Sequence, residues 1–172
     1  VDNLLLAWGE FVRGKRYRPD VIFFSLRLMD HILHIHDELT SGRYRHGSYQ
    51  SFRINDPKPR EIHKASVRDR LVHHAVYRIL YWFYHQILIT DSFSCRVDKG
   101  THKALNRLRQ FAWQASQNHT RTCWVLKCDI KKFFANIDHA TLVQVLRQRI
   151  PDEHIINLLQ DIIGSFYSAR PG

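Results

Sequence analysis

The sequence has no apolar run long enough to span a bilayer, and no signal-peptide pattern opens it. Its three cysteines form no C-x-x-C pair, and their odd number argues against a disulfide framework. We therefore expect a reduced, cytoplasmic protein with no membrane partner. No cysteine or further ligand lies at zinc-site spacing near His31, His34 and His36, so surface and core histidines are favoured over a zinc site. The chain also lacks an internal repeat and a long polar linker, which predicts one unit over residues 1–172.

The charge of the chain is strongly one-sided. Its 26 Lys and Arg residues outnumber 16 Asp and Glu residues, which gives a formal net charge of +10. Of the 172 residues, 44% are hydrophobic and 12% are aromatic, which is typical of a folded globular protein rather than a disordered one. A charge of this sign and size favours a polyanionic partner, and nucleic acid fits best.

The stretch Cys123 to His139 has the most specific pattern. Its first half, C-W-V-L-K-C, is apolar and β-favouring, which predicts a short buried strand that ends at Asp129. Two aromatic residues, Phe133 and Phe134, follow this acid. Asp138 is then placed as the N-cap of a helix with apolar residues at helical spacing. A carboxylate at the end of a strand can bind a metal ion, although a capped or solvent-facing acid would have the same position.

Residues 49–64 predict a β-hairpin. Apolar and polar residues alternate up to a proline-stiffened turn at residues 56–59, and a second extended piece follows. Lys58 and Arg60 lie at the turn and at the start of the return strand. Their cations can project from the hairpin and neutralise a triphosphate, or they can be exposed charges without a function.

A basic run with one interleaved aromatic lies near the amino end, at residues 13–18. It suits contact with phosphates, but a solvated loop explains its spacing equally well.

Helical spacing of apolar residues predicts several helices. Ser66 and Asp69 have the form of a capping box, and the helix that follows is expected to be buried against the sheet along its length. The main predicted helices run from Asp20 to about Ser41, from Ser66 through Ile87, from Thr101 to about Ala112, and from Pro151 to Gly164.

In order and in identity, these stretches resemble bacterial reverse transcriptases of the group II intron, retron and diversity-generating retroelement type. The string D-I-K-K-F-F-x-x-I-D-H is similar to the first palm motif of that family, and D-P-K-P-R-E-I-H-K is similar to its fingers hairpin. The strings V-R-D-R-L-V-H-H-A and S-F-S-C-R-V-D-K-G-T-H are similar to motifs that lie between them.

The resemblance implies roles for individual residues. It makes Asp129, together with the carbonyl of Ile130, a ligand of catalytic Mg²⁺, and so a catalytic residue. It places Phe134 beneath the sugar of the incoming nucleotide, where the ring would exclude ribonucleotides. The nucleotide or template contacts that it implies are Lys58, Arg60, Arg96 and Phe134.

Two further arginines follow the hairpin. Arg68 and Arg70 could meet the template backbone or pair with Asp69. Internal pairing is expected for at least one of them.

One part of the reverse transcriptase pattern is absent, because the sequence contains no Asp-Asp pair. We therefore expect a fingers-like region at residues 1–118 and a partial palm at residues 119–172, incomplete as a catalyst when alone. The expected fold class is α+β: right-hand polymerase fingers with the first part of the palm sheet, mostly helical, with a fingers β-hairpin. Such a piece would expose sheet edge and apolar surface, which predicts a homodimer or association with the missing palm segment.

The predicted activity of the parent enzyme is RNA-templated DNA synthesis, in which two-metal catalysis transfers a nucleotide to a primer 3′-hydroxyl. The expected partners are an RNA template, a DNA primer and deoxynucleoside triphosphates, and the expected cofactor is Mg²⁺. The alternative is a non-catalytic basic RNA-binding module in which Asp129 is a structural relic. A purely structural module is a third class, which predicts no RNA binding even at low salt.

Overall fold

The computed structural model of the protein describes residues 1–166. These residues form eight helices and two strands, so the expected α+β class is confirmed at that level. None of these helices is both long and apolar enough to cross a membrane. In chain order the elements are α1 (Asp2–Phe11), α2 (Pro19–Ser25), α3 (Leu28–Thr40), β1 (Gln50–Ile54), β2 (Arg60–Lys64), α4 (Val67–His85), α5 (Thr101–Ala115), α6 (Phe133–Asn136), α7 (His139–Arg147) and α8 (Glu153–Gly164).

The chain packs as two units. Of the described residues, the first unit contains Val1–Arg78 and residues 132–166, and the second contains Ile79–Lys131. The predicted division into fingers and palm rests on the sequence resemblance and stays a prediction. The last six residues of the predicted palm segment lie outside the described residues.

The apolar core lies in the first unit, where α1, α2 and α3 meet the first half of α4. Ile32, Leu71 and Val72 are completely buried there. Burial of such aliphatic side chains contributes about 1.5–3 kcal/mol each. The buried residues of this cluster are Leu4, Ala7, Phe11, Val12, Val21, Phe24, Ile32, Ile35, Tyr44, Val67, Leu71, Val72 and Ala75.

The single helix predicted from Asp20 to about Ser41 is wrong, because the structure has two helices there. The backbone of Arg27 leaves the helical region, with φ −127° and ψ 40°. Ser25 Oγ donates a hydrogen bond of 2.7 Å to the carbonyl oxygen of Val21, one turn back. Serine bonds of this kind favour bending of a helix, and the break separates α2 from α3.

Helix α4 is buried over only its first half, contrary to the prediction. Ile79, Phe83 and Ile87, which were expected on its buried face, are 62%, 47% and 50% exposed. The expected sheet does not cover them. Among residues 1–166 the only strands are β1 and β2, which pair with each other.

The strand predicted at residues 123–128 is also wrong. This segment has no regular secondary structure, and Trp124 and Leu126 are 91% and 88% exposed. A strand is stabilised by a ladder of hydrogen bonds to a neighbour, and no described residue provides a third strand. The first part of a palm sheet is therefore not formed by residues 1–166.

The helix N-caps predicted at Ser66 and Asp138 are confirmed by local hydrogen bonds. Ser66 Oγ accepts a bond of 3.1 Å from the backbone N–H of Asp69, and Asp138 accepts one of 2.7 Å from Thr141. Helix α5 starts at Thr101 as predicted. The final helix ends at Gly164 as predicted, but it begins at Glu153 with Asp152 as its cap, rather than at Pro151.

Candidate nucleotide and nucleic-acid site

The predicted hairpin is confirmed, and it presents its cations to solvent. Strands β1 and β2 pair antiparallel, with Ile54 opposite Arg60 across the turn. Every residue of β1 is exposed. Lys58 and Arg60 are exposed, and within residues 1–166 their side chains have no ion pair or hydrogen bond. Their charges are therefore available to an external anion.

The base of the hairpin is attached to the helical core through Asp20. Lys64 Nζ, at the end of β2, lies 2.7 Å from the Asp20 carboxylate, and an amino group of Arg70 lies 2.6 Å from the same oxygen. Burial raises the pKa of Asp20, but the hydrogen bonds and charges of Lys64 and Arg70 outweigh it and leave that pKa below its usual value. Asp20 thus connects α2, β2 and α4.

A second acid, Asp69, is the centre of a buried polar group that we call the Asp69 cluster. The side chain of Asp69 is 1% exposed, at the start of α4. Its carboxylate accepts hydrogen bonds from Tyr44 Oη at 2.9 Å, Ser66 Oγ at 2.7 Å, the Gly47 backbone N–H at 3.3 Å and Arg68 at 2.8 Å. A buried carboxylate is tolerated when its oxygens are bonded and a cation is next to it, and both conditions are met.

The electrostatics of the Asp69 cluster follow from these bonds. Burial raises the pKa of Asp69, but the bonds from Ser66 and Tyr44 and the charges of His46 and Arg68 leave it below its usual value. Burial and the adjacent carboxylate raise the pKa of the Tyr44 hydroxyl, so that group stays a neutral donor. A Cβ at Gly47 would lie 3.0 Å from the Asp69 carboxylate, so a larger residue there would require that carboxylate to shift by a few tenths of an ångström.

The arginines of α4 form ion pairs with acids of the same protein. Arg68 reaches both Asp69 and Glu38, the latter at 2.5 Å, and Arg70 pairs with Asp20. The expectation that at least one of these two arginines pairs internally is confirmed for both. Arg78, two turns further along the helix, pairs with a carboxylate of α1.

The central acid, Asp129, lies in the exposed segment 122–130 of the second unit. Ile130 follows it and is 66% exposed. Phe134 belongs to the first unit, in α6, and is 77% exposed, with its ring edge-on to Phe133 at 5.5 Å. The role of each of these residues stays a prediction.

A magnesium site needs more ligands than this segment offers. Mg²⁺ prefers six oxygen ligands. Asp129 could supply carboxylate oxygen and Ile130 a backbone carbonyl oxygen, which leaves most of the six positions unfilled. No group of three or more Asp, Glu, His or Cys side chains that could bind a metal occurs in residues 1–166. The described residues therefore do not fit a complete two-metal site.

Arg96 is engaged with backbone carbonyls of its own unit. Its guanidinium donates to the oxygens of Ile89 at 2.9 Å, Ser92 at 3.2 Å and His85 at 3.4 Å. These bonds tie the loop after α4 to the end of that helix. The nucleotide role implied for Arg96 stays a prediction.

The basic run at residues 13–18 forms the loop between α1 and α2. Tyr17 is 94% exposed, and Arg13, Arg16 and Arg18 are exposed without an ion pair among the described residues. The phosphate-contact hypothesis for this run is compatible with this placement.

Sequence reasoning missed most of the Asp69 cluster. Ser66 and Asp69 were found as a cap, because that signal is local. Tyr44 and Gly47 lie 25 and 22 positions before Asp69, and no spacing rule connects them to it. One sequence signal does indicate a buried acid here: Asp69 stands next to Arg68 in the first turn of a helix that continues with the apolar residues Leu71 and Val72.

Comparison with known proteins found no family model that matches the chain. Several curated proteins are similar to it. Protein YkfC of Escherichia coli is 26% identical over 129 residues, which is 73% of this chain and 33% of that protein. The COX1/OXI3 intron 1 protein of Saccharomyces cerevisiae is 23% identical over 180 aligned positions, which span the whole chain and 20% of that protein. The group II intron-encoded protein LtrA of Lactococcus lactis is 27% identical over 113 residues, which is 66% of this chain and 18% of that protein.

These relatives confirm the resemblance to group II intron-encoded proteins that the motifs indicate. The chain spans a third or less of the length of the curated relatives it matches.

Proposed function

We propose that this chain is the fingers and the first palm segment of an RNA-directed DNA polymerase. The observation that carries the proposal is its similarity to intron-encoded proteins, which covers the whole chain in one comparison. The order of the motifs supports it, since the basic hairpin precedes the acidic motif as in reverse transcriptases. In the complete enzyme the chain would bind an RNA template, a DNA primer and deoxynucleoside triphosphates.

The hairpin provides structural support for the nucleotide contact. A triphosphate requires cations that are not neutralised by the protein's own acids. Lys58 and Arg60 meet this requirement, because no described acid pairs with either. We assign these two residues to the incoming nucleotide, and Phe134 to the face of its sugar.

Asp129 is the carboxylate that we assign to catalysis. Since residues 1–166 do not assemble a metal site, this role requires further carboxylates from a later palm segment. We expect this chain alone to be inactive, and we expect it to associate with such a segment or with a second copy of itself.

The test is primer extension on an RNA template with magnesium and deoxynucleotides. This chain is compared with a version extended at its carboxyl end through a palm segment with paired aspartates. We expect extension only with the longer version, and loss of that activity in Asp129→Asn, because the amide cannot replace a charged ligand. Asp138→Asn is the matched control: its carboxylate caps α7, and asparagine caps a helix about as well.

The second candidate function is a non-catalytic RNA-binding module. The exposure of segment 122–130 and the lack of a metal cluster in the described residues favour it. RNA binding by both versions, with extension by neither, would support this candidate and contradict the polymerase proposal.

A further inference from the structure

An open groove of about 590 Å³ lies along α5 in the second unit. Asn106, Arg109, Gln110 and Trp113 line it, and their i, i+3, i+4, i+7 spacing puts them on one face of the helix. Trp113 is 51% exposed although it is a large aromatic residue. The resemblance to reverse transcriptases assigns no role to these four residues.

The wall of the groove is built by the loop after α5. Ser116 is buried, and its hydroxyl accepts a hydrogen bond of 2.9 Å from the His119 backbone N–H. Trp113 Nε1 donates to Asn118 Oδ1 at 2.5 Å. Gln117, Asn118 and His119 all have positive φ, which costs free energy in residues other than glycine and persists only where contacts enforce it. The loop therefore keeps His119 at the groove, which Trp113 also lines.

The sequence stretch that contains the groove has charged side chains of positive sign only. Residues 99–128 contain no Asp or Glu. Arg107 is neutralised by Asp91, an acid that precedes this stretch, whereas the exposed Arg109 has no ion pair within residues 1–166. The cations of the stretch are Lys99, Lys103, Arg107, Arg109, Arg121 and Lys127.

We propose that this groove binds an unpaired nucleobase of single-stranded RNA. The Trp113 ring supplies the stacking surface, the side-chain amides of Asn106 and Gln110 can donate to and accept from a base edge, and Arg109 contacts an adjacent phosphate. A protein partner would need acids to match this stretch, whereas RNA supplies negative charge at every nucleotide. The inference rests on the proposed function in taking RNA as the partner, and it adds a contact outside the predicted polymerase site.

The experiment measures binding of the full chain to a fluorescently labelled single-stranded RNA 12-mer at low salt. Trp113→Ala is expected to lower the affinity roughly 5- to 100-fold, because stacking of one base on an aromatic ring is lost. Trp82→Ala, which removes a 72% exposed tryptophan of α4, is the matched control and is expected to bind like the unmodified chain.

Two further measurements separate stacking from a structural effect. Trp113→Phe loses the hydrogen bond to Asn118 but retains an aromatic face, so it is expected to keep most of the affinity. If phenylalanine is as damaging as alanine, Trp113 acts through the loop and the stacking proposal is wrong. Ultraviolet cross-linking of RNA to the unmodified chain, followed by peptide mass spectrometry, is expected to identify the peptide that contains Trp113 or His119.

The outcomes distinguish this inference from the proposed function. If the chain binds RNA but Trp113→Ala binds as tightly as Trp82→Ala and cross-links map elsewhere, the groove is not the site while the proposed function stands. If the unmodified chain does not bind RNA at low salt, both are contradicted.

Discussion

The arginines of α4 and the two cations at the turn end of the β1–β2 hairpin, Lys58 and Arg60, differ in whether the protein's own acids neutralise them. Arg68 and Arg70 are 27% and 19% exposed, and each contacts a carboxylate. Lys58 and Arg60 are exposed, and no described acid pairs with either. The comparison indicates that the first pair stabilises the fold, whereas the second pair is available to a polyanion.

The physical reason for the difference is desolvation. A partly buried charge has lost part of its hydration, so it requires a partner of opposite charge within the protein. An exposed charge retains its hydration and contributes little to stability whether or not it is paired. The cations behind the net charge of +10 therefore act differently: the partly buried ones stabilise the fold, and the exposed unpaired ones are available to bind an anion.

We expect the largest effect when a charge is removed from the ion pairs of α4. Asp69→Asn should lower the free energy of unfolding by about 3 kcal/mol or more, because it leaves Arg68 partly uncompensated and weakens the acceptor of four hydrogen bonds. Urea denaturation measures this loss. The matched control is Asp30→Asn, which breaks an exposed pair with Arg27 and should cost less than about 1 kcal/mol.

The same substitution should change the response to acid. Because the folded-state pKa of Asp69 is below the ordinary value of 3.8, its stabilising contribution is complete above that pH and is lost as the pH falls through the folded pKa. Asp69→Asn should therefore show a shallower loss of stability with acid below about pH 4. Equal destabilisation by Asp69→Asn and Asp30→Asn would contradict the assignment of Asp69 as a buried structural acid.

The role of the unpaired hairpin cations is tested by Arg60→Ala in an active version of the protein that is extended at its carboxyl end. The KM for deoxynucleotides should rise roughly tenfold or more, since a hydrogen bond to a charged group contributes about 1.5–3 kcal/mol and 1.4 kcal/mol corresponds to tenfold. Arg53→Ala, on the opposite strand of the same hairpin, is the control and should change the KM much less. An unchanged KM in Arg60→Ala would remove the nucleotide assignment.

Local chemistry made part of the fold predictable. The Ser66 and Asp138 caps and the hairpin depend on residues a few positions apart, so the sequence is sufficient to predict them. The strand before Asp129 depends on a neighbouring strand, and its apolar pattern alone does not create one. The break between α2 and α3 lies at Arg27, whose backbone leaves the helical region, and the helical periodicity of the apolar residues does not reveal it.

The candidate site follows the same division. The exposure of Lys58 and Arg60 was predictable from a turn with two prolines, because such a turn projects its side chains. The engagement of Arg96 was not, since its acceptors are backbone carbonyls that carry no sequence signal. The groove on α5 was not predictable either, since the loop residue His119 that helps to line it has no periodic relation to the polar face of the helix.

The salt dependence of RNA binding tests the central claim most directly. Two triple variants, each with three arginines replaced by alanine, are compared. The first replaces the unpaired Arg13, Arg16 and Arg18. The second replaces Arg27, Arg43 and Arg147, which pair with neighbouring acids. Each phosphate contact contributes about 0.7 to the slope of log affinity against log salt for single strands. We predict that the unpaired set lowers this slope by up to about 2, while the paired set leaves it nearly unchanged. Equal reductions in both variants would show that total charge, rather than the unpaired cations, determines RNA binding.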